Sequence, residues 1–317
     1  MYFQSAHRAS SLLYQIAVAN KGPWIIPDNV CHVVMATLVL AGCTPLILDV
    51  DKQTLELNHN DVLQRIKQTK VVKGIVMVRA FGNDKLDYTE FIRNIRMIDF
   101  NILFVDDRCL CVPTFQIVDC DADYYLFSTG YSKFVDLGYG GYCFSKREIT
   151  NCALPYSEEH EIEFNYYFSE SISSQSVIRK GFVNKISELN WLNTRSLDVS
   201  YIDLVKENCV LAYEHKKHIN NIYYNINKDF ILGDDFNVWR FNLLFENRDE
   251  ILKLFTDNDI FSSKHYFSLS QLLGHLPNKI WSFYSNHIIN LFNDKRCTVP
   301  MAYKSVEIIN KYGRALR

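Results

Sequence analysis

Residues 102–107 read Ile-Leu-Phe-Val-Asp-Asp, four apolar residues followed directly by two carboxylates. A second apolar stretch, residues 124–127, ends at Ser128, and Lys133 follows five residues later. Short, continuous apolar runs are typical of strands that are buried on both faces of a sheet. In a parallel α/β sheet, ligands bind beyond the carboxyl ends of the strands. We therefore predict that Asp107, Ser128 and Lys133 lie together at one edge of a sheet.

The rest of the first half alternates between helical and strand patterns. The spacing of apolar residues predicts helices at 8–19, 29–41, 60–68 and 87–97, and further strands at 24–26, 45–50, 71–81 and 142–144. Buried strands separated by helices indicate an α/β fold, with a mostly parallel central sheet flanked by helices. The pattern gives six or seven strands. Gly42, directly after the second helix, stands where a left-handed cap is expected.

The pattern changes after about residue 150. Long polar helical segments at 157–190 and 199–222 precede a strand at 238–244 and helices at 249–257, 278–292 and 303–313. We predict a large domain at 6–160, then a helical connection and a smaller C-terminal α+β domain at 161–317. Residues 1–5, Met-Tyr-Phe-Gln-Ser, resemble the remnant of a cleavable tag and are left out of this prediction.

The composition excludes several classes of protein. With 48% hydrophobic and 22% charged residues, the chain of 317 residues can bury a large core, which excludes a disordered protein. The net charge of -2 offers no positive surface to nucleic acid or to an anionic membrane. No apolar run reaches the roughly 18 residues of a membrane-spanning helix. We therefore expect small-molecule partners, no nucleic acid and no membrane.

The nine cysteines are scattered along the chain, and no secretory signal precedes them. This usage favours reduced thiols and a cytoplasmic protein. No two cysteines have C-x-x-C spacing, and Cys109-Leu110-Cys111 is too close for an ordinary zinc site. The sequence therefore predicts no bound metal.

An amine, a carboxylate and a hydroxyl at one sheet edge suit pyridoxal phosphate. A lysine amine can bond to its aldehyde, and a carboxylate can keep its ring nitrogen protonated. Phosphate binds well at the start of a helix, and the helix that begins near Arg8 and Ala9 is the candidate. The alternative is that Asp107 caps a helix and that Lys133 is a solvated loop lysine.

Several segments resemble, in the same order, those of the DegT/StrS-type sugar aminotransferases, which are fold type I pyridoxal-phosphate enzymes. The resemblance covers about the first 175 residues. The segments that resemble the family are residues 25–51, residues 76–82 and Val105-Asp106-Asp107. They continue with Ser128, Lys133 and Gly140-Gly141, and end with Asn165-Tyr166. The ordered set argues against the solvated-loop alternative for Lys133.

The resemblance implies a role for each matching residue. Lys133 would form the Schiff base and move the proton during transfer, and Asp107 would pair with the ring nitrogen. Ser128 would bind the phosphate, and Asn165 would reach the cofactor phosphate of the partner subunit in a homodimer. The implied substrates are glutamate or a similar amino donor, and a keto-sugar nucleotide that receives the amine.

The sequence departs from the family pattern at several positions. Leu110 replaces a Gln or His near the ring hydroxyl, and Cys31 replaces an aromatic residue that stacks on the ring. His7-Arg8 replaces the Gly-Thr of the phosphate loop, and Tyr167 replaces an Arg. These changes indicate a divergent member of the family.

The second half holds three candidate substrate-binding residues. Arg240 begins a predicted strand, and His265 and Tyr266 lie in a predicted loop after the helix at 249–257. Similar residues lie in similar places in the family, and the resemblance therefore makes these three candidates for approaching the substrate. The alternative is that all three are structural.

Two other functions remain open at this stage. Asp49-Val50-Asp51 and Asp119-Cys120-Asp121 have the D-x-D form that holds a divalent metal on a nucleotide sugar in glycosyltransferases. A non-catalytic protein built on the same fold is the other alternative.

Overall fold

The computed structural model describes residues 1–69, 71–117, 121–173, 181–273 and 275–316. Within these residues, a large sheet of seven strands forms the centre of the N-terminal part. Its strands are β1 (Tyr2–Ala6), β2 (Pro23–Pro27), β3 (Thr44–Leu48), β4 (Gly74–Val78), β5 (Leu103–Asp107), β6 (Tyr124–Ser128) and β7 (Gly141–Ser145).

The large sheet has the strand order β1-β7-β6-β5-β4-β2-β3. The five strands from β2 to β6 run parallel to their neighbours in that group. β7 pairs with β6 in the antiparallel sense, and β1 pairs with β7 in the same sense at the edge. This arrangement confirms the predicted mostly parallel central sheet.

Helices cover both faces of the large sheet: α1 (Ala9–Val18), α2 (His32–Leu40), α3 (His59–Gln68) and α4 (Thr89–Ile98). α1 and α2 share one apolar core with Val105 and Leu126. α3 and α4 share a second core with Phe104 and Tyr125. Because side chains alternate along a strand, neighbouring residues of β5 and β6 pack into different cores on the two faces of the sheet.

Local signals in the sequence account for several of these elements. Asn58 caps α3, since its side chain accepts hydrogen bonds from the backbone N–H groups of Asn60 and Asp61. Gly42 follows α2 with a φ of 75°, as its position after an apolar helix predicts. The predicted large domain begins at residue 6, but Tyr2 to Ser5 also belong to the large sheet, as part of β1 paired with β7.

The second part begins with three helices, α5 (Glu158–Ser173), α6 (Gly181–Glu188) and α7 (Ser200–Tyr223). The predicted helical segment 157–190 corresponds to α5 and α6, and its residues 174–180 lie outside the described residues. The chain between α6 and α7 returns to the large sheet, where the N–H of His7 donates to the carbonyl of Arg195 at 2.8 Å.

The remaining elements are β8 (Phe241–Leu244), α8 (Arg248–Thr256), β9 (Ser262–Ser263), α9 (Leu269–Leu272), α10 (Lys279–His287), β10 (Ile288–Leu291) and α11 (Val299–Tyr312). The strands form an antiparallel sheet in the order β8-β10-β9. The predicted helix at 278–292 is therefore wrong at its C-terminal end, because residues 288–291 form the central strand β10. The domain division at 160 stays a prediction. No described helix is long and apolar enough to cross a membrane.

Candidate active site

A cavity of about 450 Å³ lies at the carboxyl ends of β5 and β6. Asp107 is the last residue of β5, Ser128 is the last residue of β6, and both line the cavity together with Lys133. Its volume falls in the range of small-molecule sites. The structure thus brings together the three residues that the sequence places at one sheet edge.

Asp107 is buried, and its Oδ1 accepts a hydrogen bond of 3.0 Å from the backbone N–H of Cys109. Burial raises the pKa of the Asp107 carboxyl above its usual range, while the Cys109 hydrogen bonds and the Lys133 charge oppose the rise. A cationic ring nitrogen next to this carboxylate would lower its pKa again, because opposite charges favour the ionised forms.

The neighbouring residue, Asp106, belongs to a separate ion-pair cluster. Its carboxylate accepts bonds of 2.9 Å from Nε and Nη2 of Arg79 and from Nε of Arg108. The Arg79 guanidinium also lies 4.1 Å from the ring centroid of Tyr88. Arg108 therefore pairs with Asp106, whereas Asp107 lines the cavity.

Lys133 lies in the loop after β6 and is half-buried. Its backbone N–H donates to the carbonyl of Gly130 at 3.2 Å. Burial lowers the pKa of the Lys133 ammonium, but its electrostatic interactions with Tyr266, Cys109, Cys31 and Asp107 outweigh burial and raise it. In the free site the amine is therefore held mainly as its ammonium form.

The start of α1 forms another wall of the cavity, through Arg8 and Ala9. Arg8 Nη2 pairs with Oε1 of Glu161 at 2.8 Å, and its Nη1 donates to the carbonyl of Gly138 at 3.2 Å. α1 has no side-chain cap, so its first N–H groups are not used by a capping side chain. A guanidinium, a helix N-terminus and the Ser128 hydroxyl thus converge on one end of the cavity.

Gly141 explains how α1 approaches so closely. A Cβ built on Gly141 would lie 2.4 Å from the backbone nitrogen of Ala9, which is closer than real contacts allow. Only a glycine permits this packing of β7 against the start of the helix.

Cys31 and Asn165 also line the cavity, from the start of α2 and from α5. Burial raises the pKa of the Cys31 thiol, so the group is neutral near pH 7. Phe164 and Trp191 complete this side, with their ring centroids 4.3 Å apart. The sequence pattern did not identify Glu161, Phe164 or Trp191 as site residues. No local signal points to Trp191, because only the return of the chain after α6 brings it to the site.

No family model and no curated protein matches the sequence. Solved structures, in contrast, match it along almost its whole length. A DegT/DnrJ/EryC1/StrS aminotransferase from Brucella abortus superposes with a TM-score of 0.69 at 14% identity, covering 98% of this chain and 86% of that chain. The chain has the DegT/StrS aminotransferase fold.

Other proteins of the DegT/StrS fold match equally well. PseC of Helicobacter pylori, an aminotransferase involved in the biosynthesis of pseudoaminic acid, has a TM-score of 0.70 at 16% identity, covering 98% of this chain and 86% of that chain. A Streptococcus pneumoniae protein described as a sugar aminotransferase, solved in its PMP form, has a TM-score of 0.65 at 15% identity, covering 98% and 87%. At such low identities the likeness establishes the fold alone.

The three candidate substrate-binding residues lie in the smaller part of this DegT/StrS fold. His265 and Tyr266 line a narrow cavity of about 60 Å³ together with Cys31, which also lines the larger cavity. Burial raises the pKa of Tyr266, and the nearby Lys133 ammonium opposes that rise. His265 and Tyr266 therefore adjoin the site without lining its main cavity.

Arg240 is buried between two aromatic rings. Its guanidinium lies 4.2 Å from the ring centroid of Trp239 and 3.8 Å from that of Phe292, and Nη1 donates to the Ser263 hydroxyl. It is not among the residues that line the main cavity in the described part of the chain. This environment fits the structural alternative better than direct contact with a substrate.

Asp28, which the sequence pattern did not single out, anchors the segment that follows Tyr266. Its carboxylate accepts hydrogen bonds from the hydroxyls of Ser268 and Ser270 at 2.8 and 2.9 Å, and from the Ser270 N–H at 2.7 Å. These bonds join the residue after β2 to the start of α9. They hold the Tyr266 segment against the large sheet.

The first D-x-D motif has structural functions in this fold. Asp49 accepts hydrogen bonds from the N–H groups of Ile280 and Trp281 at 2.9 and 3.0 Å, at the start of α10. Asp51 accepts from two N–H groups of its own turn. In the second motif, residues 119 and 120 lie outside the described residues. Among the described residues, no group of His, Cys, Asp and Glu could hold a metal ion.

Proposed function

We propose that the protein is a pyridoxal-phosphate-dependent aminotransferase that transfers an amino group from glutamate, or a similar donor, to a keto-sugar nucleotide. The observation that carries this proposal is the shared cavity of Lys133, Asp107 and Ser128. The resemblance of the first 175 residues to sugar aminotransferases supports the substrate class. The Streptococcus pneumoniae structure in its PMP (pyridoxamine phosphate) form supports pyridoxal phosphate as the proposed cofactor.

The residues of the cavity fit the chemical groups of pyridoxal phosphate. Lys133 offers an amine to the aldehyde, and Asp107 offers a carboxylate to the ring nitrogen. Ser128, Arg8 and the first N–H groups of α1 would hold the phosphate. When bound, the cofactor supplies an electron sink for the bonding electrons of the substrate carbon.

Lys133 has two tasks in this proposal. With the cofactor bound, its neutral amine would bond to the aldehyde carbon, whose oxygen would leave as water. Once freed from that bond, the same Nζ would move a proton between the substrate carbon and the cofactor carbon. Both tasks need the neutral amine, so Nζ must first lose the proton that its raised pKa favours. Asp107 keeps the ring nitrogen protonated, which requires Asp107 itself to stay ionised.

A homodimer is part of the proposal. Asn165 lies on the exposed side of α5, next to Ile162 and Tyr166, whose exposed fractions are 63% and 60%. Large apolar side chains beside an open cavity suit the surface of a second copy. Asn165 lines the cavity of its own subunit here, and its proposed reach to the partner's cofactor phosphate rests on the resemblance alone.

We place the protein in the cytoplasm on the basis of its thiols. Its nine scattered cysteines, with no pair at C-x-x-C spacing, favour a reducing compartment. Small molecules remain the proposed partners, apart from the second copy of the chain.

A spectral titration tests the proposed function. Purified protein mixed with pyridoxal phosphate should gain a visible absorbance band, glutamate should bleach it, and one member of a panel of keto-sugar nucleotides should restore it. Lys133→Ala should abolish the band. Lys304→Ala, at an exposed lysine of α11, is the matched control and should keep it.

Two results would contradict the proposal in different ways. A band that persists unchanged in Lys133→Ala would show that Lys133 does not bind the cofactor. A band that depends on Lys133 but is insensitive to every amino donor would instead favour the non-catalytic alternative.

A further inference from the structure

The loop that carries Lys133 has an unusual local conformation. Ser132, the residue before Lys133, has a φ of 60°, in the left-handed region that non-glycine residues seldom adopt. The Ser132 N–H donates to Oδ2 of Asp136 at 2.9 Å, so the loop closes on itself around Lys133. Residues in such conformations persist where the surroundings fix them.

Those surroundings come from the C-terminal part of the chain. Arg296, between β10 and α11, donates from Nη1 to the Ser132 hydroxyl at 2.9 Å and pairs through Nη2 with Asp136 at 3.2 Å. The indole Nε1 of Trp239, just before β8, donates to the Ser132 carbonyl. Arg296 thus touches a residue on each side of Lys133.

Arg296 is itself held in place. Its Nε donates to Oδ1 of Asp294 at 2.8 Å, and its Nη2 also bonds to Asp294. The guanidinium lies 5.0 Å from the ring centroid of Tyr131 and 4.9 Å from that of Phe292. All three guanidinium nitrogens of Arg296 already have protein partners. The side chain therefore holds the loop and does not bind a substrate anion.

We propose that Arg296 is a positioning residue for Lys133. It clamps Ser132 and Asp136 to the smaller sheet and so fixes where the Lys133 amine stands in the cavity. The inference rests on the proposed function, because it concerns the bond between Lys133 and pyridoxal phosphate. In that step the neutral amine nitrogen bonds to the aldehyde carbon, and the aldehyde oxygen leaves as water.

The test compares a step that needs Lys133 with one that does not. The rate at which Lys133 captures pyridoxal phosphate is measured in two steps. Borohydride reduces the C=N bond that has formed, and mass spectrometry then gives the fraction of Lys133 modified at each time. Pyridoxamine phosphate has no aldehyde, so its equilibrium affinity reports on the rest of the site. We expect Arg296→Gln to slow capture at least about tenfold. The affinity for pyridoxamine phosphate should stay within about twofold, because that ligand forms no bond to Lys133.

Two further variants complete the test. Lys295→Gln makes the same charge change at the adjacent, exposed residue and should capture the cofactor at the wild-type rate. Ser132→Ala removes a single acceptor of the clamp and should slow capture several-fold. If Arg296→Gln does not fold, the capture rate of Ser132→Ala decides the test.

The outcomes separate this inference from the proposed function. Normal capture in Arg296→Gln or, if that variant does not fold, in Ser132→Ala would overturn the positioning role while leaving the aminotransferase intact. Equal losses of capture and of pyridoxamine phosphate affinity would also overturn it, because they indicate general damage to the site. Wild-type protein that binds neither compound would refute the proposed function itself.

Discussion

Arg79 donates two hydrogen bonds of 2.9 Å to Asp106, from Nε and Nη2, where β4 and β5 lie side by side. Both side chains are buried. Because side chains alternate along a strand, this ion pair lies on the face of β5 opposite to Asp107. The pair fixes the carboxyl end of β5, so Asp107 enters the cavity from a firmly held backbone.

Asp107→Asn should separate cofactor capture from amino transfer. A neutral amide cannot keep the ring nitrogen protonated, so we expect amino transfer to fall at least about a hundredfold. The same change removes an anion that raises the pKa of Lys133, so capture at about pH 6 should be no slower than in the wild type. Single-turnover kinetics with glutamate and mass spectrometry after borohydride reduction measure the two effects.

Asp203→Asn is the control for this charge change. Asp203 lies on α7 with 75% of its side chain exposed, so both rates should remain at wild-type values. Full amino transfer by Asp107→Asn would show that another acid holds the ring nitrogen. Capture that slows as much as transfer would show that Asp107 acts mainly in binding.

The pH dependence of capture follows from the pKa of Lys133. Its pKa is raised in the folded protein, so near neutral pH most of the side chain is ammonium. Only the neutral amine attacks an aldehyde, and its fraction grows about tenfold for each pH unit below the pKa. The initial capture rate should therefore rise about tenfold per unit between about pH 6 and pH 8. A flat profile over this range would mean that Lys133 is already neutral.

The large sheet and its ligand edge could be predicted because they depend on local patterns. The apolar runs that end at Asp107 and Ser128 are buried strands, and parallel strands bring their carboxyl ends to the same edge. Gly42 likewise marks a helix end by its own conformation. These features need no knowledge of distant contacts.

The parts that the sequence did not reveal depend on contacts between distant segments. The strand β1 exists because it pairs with β7, about 140 residues away. Trp191 reaches the cavity only after the chain turns back from α6, and Arg296 reaches the Lys133 loop only after the smaller sheet has formed. Residues 288–291 could not be told from a helix because an apolar run fits both, and pairing with β8 decides for a strand.

Gly141→Ala should weaken cofactor binding through the position of α1. The added methyl group would lie 2.4 Å from the backbone nitrogen of Ala9, so the start of the helix must move away from the phosphate end of the cavity. We expect a loss of about 1 to 3 kcal/mol in the free energy of unfolding. Pyridoxamine phosphate affinity should fall as well, since it depends on the same N–H groups.

Gly74→Ala is the control that separates the loss of stability expected for Gly141→Ala from the loss of pyridoxamine phosphate affinity. A Cβ on Gly74 would meet the Trp24 ring at 2.4 Å, at the amino end of β4 and away from the cavity. Denaturant unfolding should show a similar loss of stability, while calorimetry should show unchanged pyridoxamine phosphate affinity. Equal affinities in the two variants would contradict a role of the α1 terminus in holding phosphate.

Mixed dimers test whether Asn165 acts across the subunit interface. Lys133→Ala and Asn165→Ala should each have low activity as pure proteins. When the two are unfolded and refolded together, half of the dimers are mixed. If Asn165 serves the partner's cavity, each mixed dimer contains one site with both residues intact. Activity should then recover to about one quarter of the wild-type value.

The control for this experiment mixes Lys133→Ala with Asp107→Ala. Both residues line the cavity of their own subunit from neighbouring strand ends, so no mixed dimer contains an intact site and activity should not recover. Recovery only in the Asn165 mixture would support a shared site. If that mixture stays inactive while sedimentation shows dimers, Asn165 acts on the cavity that it lines in its own subunit, and the two sites of the dimer work independently.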